Sequence, residues 1–164
     1  MTPSAERTRV LFVCLGNICR SPMAEVVFRH ISRRAGLGGH VTVESAGMGD
    51  WHVGNPPDYR AIETAARRGY DLTTVRARQF KMVDFDRFDW ILPVDRAVLR
   101  SLEGMRPAQF KAKLQLFLEL APQLNRHDVP DPYDGGIKEF ELALDLIEQG
   151  SEALAAHIAQ APPR

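Results

Sequence analysis

The sequence predicts an α/β layered fold built on a small parallel sheet, and two observations lead to that prediction. Short apolar runs rich in β-branched residues alternate with segments of helical period, a pattern typical of strands joined by helical crossovers. The 164 residues are 45% hydrophobic and show no break in composition, which suits one well-buried domain. We therefore expect residues 1–164 to form a single domain, with residues 1–8 as a short flexible N-terminus.

The first predicted unit is a strand, a turn and a helix. Val10–Val13 is an unbroken β-rich run, as in a strand that is buried on both faces of a parallel sheet. Ser21 and Pro22 suit the N-cap and the first position of the helix that follows. Apolar residues then recur at helical spacing until the glycines that begin at Gly36.

The remaining elements continue the alternation of strands and helices. In chain order they are a strand at 41–45, an irregular loop at 46–57, a short helix capped by Asp58 and ended by Gly69, a strand within 88–94, a helical segment through Val98 and Leu102, a fourth strand within 113–118, a polar loop at 125–136, and a last helix from Phe140 to Ile158. Gln115 interrupts the apolar run of the fourth strand, and Gly150 is a weak point in the last helix.

Charge and composition exclude several classes of function. Lysine plus arginine and aspartate plus glutamate both total 21, so the chain lacks the excess of charge that sequence-independent nucleic-acid or membrane-surface binding requires. We expect no nucleic-acid or membrane partner. The sequence shows no apolar run long enough to span a bilayer and no signal-sequence pattern, so we expect a cytoplasmic protein.

Cysteine and histidine usage points away from structural metals. Two thiols, Cys14 and Cys19, cannot supply a disulfide framework or a four-cysteine zinc site. The five histidines are scattered without a short-spaced pair of ligands, and we interpret most of them as surface residues. We therefore predict no metal and no cofactor.

The segment from Cys14 to Ser21, named here the Cys14 loop, lies between the first predicted strand and helix. Ligands of open α/β sheets bind beyond the carboxyl ends of strands, and backbone amides that open a helix form a site for anions. Gly16 and Asn17 are residue types that tolerate left-handed backbone. The sequence therefore predicts a phosphate-binding loop after the first strand, formed by Leu15, Gly16, Asn17, Ile18, Cys19 and Ser21.

Cys14 and Arg20 are the candidate nucleophile and phosphate-binding cation of this loop. Amide dipoles and a guanidinium favour the thiolate, so we expect Cys14 to be reactive at neutral pH. Arg20 can bind two phosphate oxygens through its planar fork, and the Ser21 hydroxyl can donate to the sulfur. A lone cysteine is often only a core residue, but the strand, the Gly-Asn pair and the helix start favour catalysis. Cys19 is either a loop residue or a partner that traps oxidised Cys14 as a disulfide.

The segment Val10–Glu25 resembles the signature of the low-molecular-weight protein tyrosine phosphatases. Similar family segments follow in the same order at 44–47, 53–60, 77–79 and 131–133. The resemblance implies a three-layer fold, with a four-stranded parallel sheet and helices on both of its faces. It also implies metal-free hydrolysis of phosphotyrosine in protein substrates through a phosphocysteine intermediate.

Asp131 is the candidate general acid. In-line attack on phosphorus needs a proton for the departing phenolate, and a carboxyl group next to a phosphate retains its proton more readily. Pro130 and Pro132 restrict the backbone on either side. The family's general acid is the aspartate of an Asp-Pro-Tyr motif, so the resemblance selects the same residue. It also implies that Trp51 and Tyr133 form the walls of the substrate pocket.

The chain departs from the family pattern at two positions near the site. Asp134 stands where many members have a second tyrosine, which removes an aromatic side chain from the rim of the pocket. Val75 stands where some relatives have a histidine that supports the loop asparagine. Asn17 and Ser45 remain, so we expect that support to be reduced and not lost.

Three other functions are compatible with parts of the pattern. Arsenate reductases of this fold need further cysteines, and residues 20–164 contain none. A protein-arginine phosphatase usually has threonine at the position of Ile18, whose apolar side chain favours an aromatic leaving group. A non-catalytic phosphate-binding module would need neither the nucleophile Cys14 nor the acid Asp131.

Overall fold

The computed structural model describes residues 7–160 and has the α/β architecture that the sequence predicts. Its strands are β1 (Thr8–Cys14), β2 (Val41–Gly47), β3 (Trp90–Pro93) and β4 (Lys113–Leu114). Its α-helices are α1 (Arg20–Arg34), α2 (Tyr59–Ala66), α3 (Asp84–Arg87), α4 (Arg96–Met105) and α5 (Ile137–Gln160). The strands pair in parallel in the order β2-β1-β3-β4, so β1 lies inside the sheet.

Apolar side chains on both faces of β1 explain the three layers. Val10 and Phe12 face a core formed with α1 and α5, whereas Leu11 and Val13 face a second core formed with α4 and the aromatic residues of the 80–88 segment. All four of these β1 side chains are fully buried. A strand covered on both faces needs the continuous apolar run found in the sequence, so the predicted three-layer fold is confirmed.

The start of the chain and of the first helix differ from the sequence prediction. Thr8 belongs to β1, where it pairs with Val41, so the strand includes part of the predicted flexible N-terminus. Residues 1–6 of that terminus lie outside the described residues. The prediction of Ser21 as an N-cap is wrong: α1 begins at Arg20, its N-cap is Cys19, and no side chain caps it. The Ser21 hydroxyl instead lies 2.9 Å from the Cys14 sulfur.

Other boundaries follow the predictions more closely. The Asp58 side chain accepts a hydrogen bond from the Arg60 amide at 2.8 Å and caps α2 as predicted. The fourth strand is correctly located but only two residues long, because the chain enters a 3₁₀ turn that buries Phe117 and Leu118. The single turn α3 is not among the predicted elements.

Gly150 does not break the last helix, which runs continuously from 137 to 160. A Cβ atom at Gly150 would lie 2.7 Å from the Phe117 ring, so the absence of a side chain allows that ring to pack against the helix. Within residues 7–160, no helix is both long and apolar enough to cross a membrane.

Candidate active site

The Cys14 loop occupies the carboxyl end of β1, between the ends of β2 and β3. Asn17 has a positive φ of 58°, whereas Gly16 does not, so one of the two residues predicted to tolerate left-handed backbone adopts it. Gly47, the last residue of β2, passes close beneath the loop. A Cβ atom there would lie 2.9 Å from the Gly16 carbonyl carbon and 3.0 Å from the Asn17 nitrogen.

Three backbone carbonyls of the Cys14 loop bind amides that lie outside the loop. The Met48 amide donates to Cys14 O at 3.0 Å, the Gly49 amide to Leu15 O at 3.0 Å, and the Asp58 amide to Ile18 O at 2.7 Å. A trans peptide places the following N–H opposite to its C=O, and no described peptide is cis. The amides of Leu15, Gly16 and Cys19 therefore point toward the inside of the loop, where they can bind an anion.

The Cys14 side chain is 3% exposed and receives hydrogen bonds from the loop that surrounds it. The Asn17 amide donates to its sulfur at 3.2 Å, and the Ser21 oxygen lies 2.9 Å from the same atom. Because the Ser21 oxygen accepts from Asn17 Nδ2 at 2.8 Å, the serine proton is available to the sulfur. Ala46 O is a longer alternative acceptor at 3.4 Å.

Buried Asn17 holds the loop through its side chain. Nδ2 also donates to the Ser45 hydroxyl at 3.0 Å, and Ser45 in turn donates to Glu25 at 2.6 Å. Oδ1 accepts from the backbone amide of Arg78 at 2.9 Å. Val75, at the position where some relatives have a supporting histidine, is buried. The third hydrogen bond of the Asn17 side chain comes from the main-chain amide of Arg78. Arg78 and Glu25 were not predicted as supports of the loop, and Arg78 acts through its main-chain amide, which leaves no residue-specific signal.

Arg20 is almost fully buried and already oriented by protein groups. Its Nη1 donates to Asp95 Oδ2 at 2.6 Å and to Val129 O at 3.0 Å. Burial disfavours its charge, but the Cys14 sulfur and the Asp95 carboxylate outweigh burial and raise the pKa of the guanidinium. Asp95, which also caps α4 through the Val98 amide, is a site residue that the sequence analysis missed. Its one signal was its place before a helical pattern.

Asp131 lies in the loop at 125–136, near the Arg20 guanidinium. Its side chain is 48% exposed, and its Oδ2 is 3.5 Å from Arg20 Nη2. Oδ1 accepts from the Tyr133 amide at 3.1 Å. The structure thus brings together the three residues that the sequence analysis selected as catalytic.

A cavity of about 200 Å³ opens above the Cys14 loop. It is lined by Cys14, Leu15, Gly16, Ile18, Cys19, Arg20, Trp51, His52, Asp131 and Tyr133. Trp51 is 66% exposed and Tyr133 48%, and both line the cavity. Asn17, Ser21 and Ser45 lie below the cavity. His52 also lines the cavity, and no sequence pattern indicated this position.

Cys19 differs from Cys14 in its electrostatic surroundings. Burial, followed by the Asp58 carboxylate, raises the pKa of the Cys19 thiol well above its ordinary range. Neither cysteine is in a disulfide. Among residues 7–160, no group of three or more histidine, cysteine or acidic side chains is placed to hold a metal ion.

Comparison with known proteins gives one consistent family. The family model for low molecular weight phosphotyrosine protein phosphatases matches residues 9–163. The chain is 42% identical over 149 residues to the low molecular weight protein-tyrosine-phosphatase YfkJ of Bacillus subtilis, covering 91% of this chain and 94% of that protein. The crystal structure of YfkJ is similar with a TM-score of 0.89 and 39% identity, covering 96% and 98% of the two chains. The crystal structure of the drosophila arginine phosphatase DARP is similar with a TM-score of 0.86 and 31% identity, covering 93% and 99%.

Proposed function

The chain belongs to the low-molecular-weight phosphotyrosine protein phosphatase family, and from this premise we propose that it hydrolyses protein phosphotyrosine with Cys14 as nucleophile. The observation that carries the proposal is the cavity in which inward-pointing amides surround the Cys14 sulfur, with Arg20 and Asp131 in the same lining. The groups that an in-line phosphoryl transfer requires therefore share one site.

In the first step the Cys14 thiolate attacks phosphorus, an S–P bond forms and the aryl P–O bond breaks. Asp131, in its acid form, gives its proton to the departing phenol oxygen. Arg20 binds phosphate oxygens through the Nε and Nη2 edge of its guanidinium, because Nη1 is engaged by Asp95 and Val129. The amides inside the loop stabilise the charge on the transferring group.

In the second step water attacks the phosphocysteine and the S–P bond breaks. The Asp131 carboxylate takes the proton of that water, and orthophosphate forms. Cys14 leaves as a thiolate, which the Ser21 hydroxyl and the Asn17 amide stabilise by hydrogen bonds. Neither step requires a metal or a cofactor.

The proposed substrate is an aryl phosphate because the cavity has apolar walls. Ile18, Trp51 and Tyr133 are among the residues that line it, and aromatic walls suit a phenol ring. The second candidate is protein phosphoarginine, since the chain is similar to the drosophila arginine phosphatase. Ile18 favours the aromatic substrate, because a planar cationic leaving group would gain a hydrogen bond from a hydroxyl side chain at this position.

Initial rates on phosphotyrosine, phosphoserine and phosphoarginine peptides, measured with EDTA present, test the proposal. We expect turnover of the phosphotyrosine peptide to exceed that of the other two. Ile18→Thr is the matched variant, in which the ratio of phosphoarginine to phosphotyrosine turnover should rise. Faster hydrolysis of phosphoarginine by the unmodified enzyme would favour the second candidate, and loss of all activity with EDTA would contradict the metal-free mechanism.

A further inference from the structure

Arg60, in the first turn of α2, contacts the segment that carries Asp131 without lining the catalytic cavity. We propose that Arg60 is a positioning residue that holds the 125–136 loop in place, so that Asp131 can transfer its proton efficiently. The proposal rests on the proposed function, since it assigns Arg60 a part in the step that Asp131 performs.

The Arg60 guanidinium binds two backbone carbonyls of the 125–136 loop. Nη1 donates to Gly135 O at 2.9 Å, and Nη2 donates to Tyr133 O at 2.8 Å. The planar group also lies over the Phe140 ring, with its central carbon 4.7 Å from the ring centroid. Because one rigid fork bonds to two carbonyls in this loop, it restrains both the position and the orientation of the backbone.

The Nε and Nη2 edge of the guanidinium is bound to Asp58. Nε donates to Asp58 Oδ1 and Nη2 to Oδ2, both at 3.1 Å. Burial opposes ionisation of Asp58, but its hydrogen bonds with the Arg60 side chain and amide outweigh burial and lower the pKa of the carboxyl. The Asp58 amide in turn donates to Ile18 O in the Cys14 loop. A continuous path of hydrogen bonds therefore connects the phosphate site to the loop that carries the acid.

The 125–136 loop depends on this contact because most of its other attachments lie near its two ends, where Gly136 is bound by Glu139 at 2.8 Å. Asp128 is bound by Arg96, and Val129 by Arg20 and Val94. Within residues 7–160, the segment 130–135 makes polar contacts with the rest of the chain only through Arg20 and Arg60.

Asp131 itself is held weakly. Its carboxylate is half-exposed, and the contact with Arg20 is long at 3.5 Å. The shorter contact is with the Tyr133 amide, which belongs to the residue whose carbonyl Arg60 holds. Loss of Arg60 should therefore disorder the carboxylate and leave the phosphate-binding groups of the Cys14 loop in place.

The test compares kcat/KM on phenyl phosphate, whose leaving group needs a proton, with kcat/KM on 4-nitrophenyl phosphate, whose leaving group is acidic. The value of kcat/KM reports the steps up to the transition state of the first phosphoryl transfer. We therefore expect Arg60→Ala to lower kcat/KM about tenfold or more on phenyl phosphate and about threefold or less on the nitrophenyl ester. Arg60→Lys keeps the charge without the planar fork, so its kcat/KM on phenyl phosphate should lie between those of the wild-type enzyme and Arg60→Ala.

Controls separate positioning from a general structural defect. Arg76→Ala is the matched variant, because Arg76 also donates to two backbone carbonyls, Thr73 O and Val75 O, which belong to its own segment. This variant should have unchanged kcat/KM on both esters. Inhibition by inorganic phosphate should be unchanged in Arg60→Ala. In an Asp131→Asn background, Arg60→Ala should cause no further loss that is specific to phenyl phosphate.

Equal losses on both esters, or weaker inhibition by phosphate, would overturn the positioning role and assign Arg60 to the stability of the Cys14 loop. If Arg60→Ala does not fold, the same comparison made on Arg60→Lys decides the question. Failure of the proposed function would give a different result: the Asp131→Asn variant would then lose kcat/KM by the same factor on both esters.

Discussion

Replacing Gly47 by alanine tests whether β2 fixes the position of the Cys14 loop. The new Cβ would lie 2.9 Å from the Gly16 carbonyl carbon and 3.0 Å from the Asn17 nitrogen, whereas carbon atoms pack best at about 3.5–4.0 Å. The strand cannot withdraw freely, since the Gly47 amide donates to Arg78 O and its carbonyl accepts from the Phe80 amide, both at 2.8 Å. The loop must therefore move.

The expected magnitude follows from that overlap. Relief of the contacts requires a shift of about 0.5–1 Å, and overpacking of this kind costs about 1–3 kcal/mol of stability. A displacement of that size among catalytic groups lowers rates by up to about 100-fold. We therefore expect Gly47→Ala to reduce kcat/KM on an aryl phosphate and to weaken inhibition by inorganic phosphate.

Steady-state rates, phosphate inhibition and urea unfolding measure the three effects. Gly104→Ala is the matched control, because a Cβ atom at this exposed position of α4 meets no atom within 4 Å. It should leave activity unchanged and raise stability by up to about 1 kcal/mol, as glycine-to-alanine changes in helices do. Wild-type kcat/KM and phosphate inhibition in Gly47→Ala would refute the reasoning.

Three further predictions concern the site and its supports. Cys14→Ser should abolish turnover of an aryl phosphate while circular dichroism shows an intact fold; measurable turnover at the wild-type rate would exclude Cys14 as nucleophile. Asp95→Asn removes the charge that orients Arg20, so inhibition by inorganic phosphate should weaken about tenfold, and an unchanged inhibition constant would contradict that role. Asp58→Asn retains the N-cap but not the charge, so it should lower the urea midpoint at pH 7. Because the folded-state pKa of Asp58 is lowered, its contribution is present above about pH 4 and is lost as the pH falls through the folded-state pKa; the two midpoints should therefore converge in acid, and a constant difference would contradict the assignment.

Three of the site residues that were predictable lie close together in the sequence. Cys14, Asn17 and Arg20 fall within one strand–turn–helix unit, whose apolar run and glycine-containing turn indicate a loop at the end of a buried strand. Asp131 was predictable from its chemistry and from the motif around it. In each case the residue type itself carries the information.

The residues that were missed act through tertiary contacts. Asp95 is 75 positions from Arg20. From the sequence alone, its position before a helical segment is fully explained by a role as an N-cap. Arg60 acts on backbone carbonyls more than 70 positions away, which have no side-chain signature. Gly47 matters because of the space above it, and only the packed structure defines that space.

Packing overrides two local signals, and only the first of them led to a wrong prediction. Ser21 is a good N-cap residue, but inside the fold its hydroxyl contacts the Cys14 sulfur and accepts a hydrogen bond from the Asn17 side chain. Gly150 has a low helix propensity, but the helix continues through it because the Phe117 ring occupies the space of a side chain. Propensity is a weak guide wherever a tertiary contact competes with it.

The Cys14 loop keeps its shape through protein contacts, from the outward carbonyls to the Asn17 side chain. An unfolded chain has no such arrangement of amides, so we expect a free oxyanion to bind the folded state alone. By mass action, phosphate at 100 times its dissociation constant would add about 2.7 kcal/mol to the free energy of unfolding. We therefore expect the stability of this enzyme to depend on the solution around it as well as on the chain, and to rise as orthophosphate, the product of the proposed reaction, accumulates.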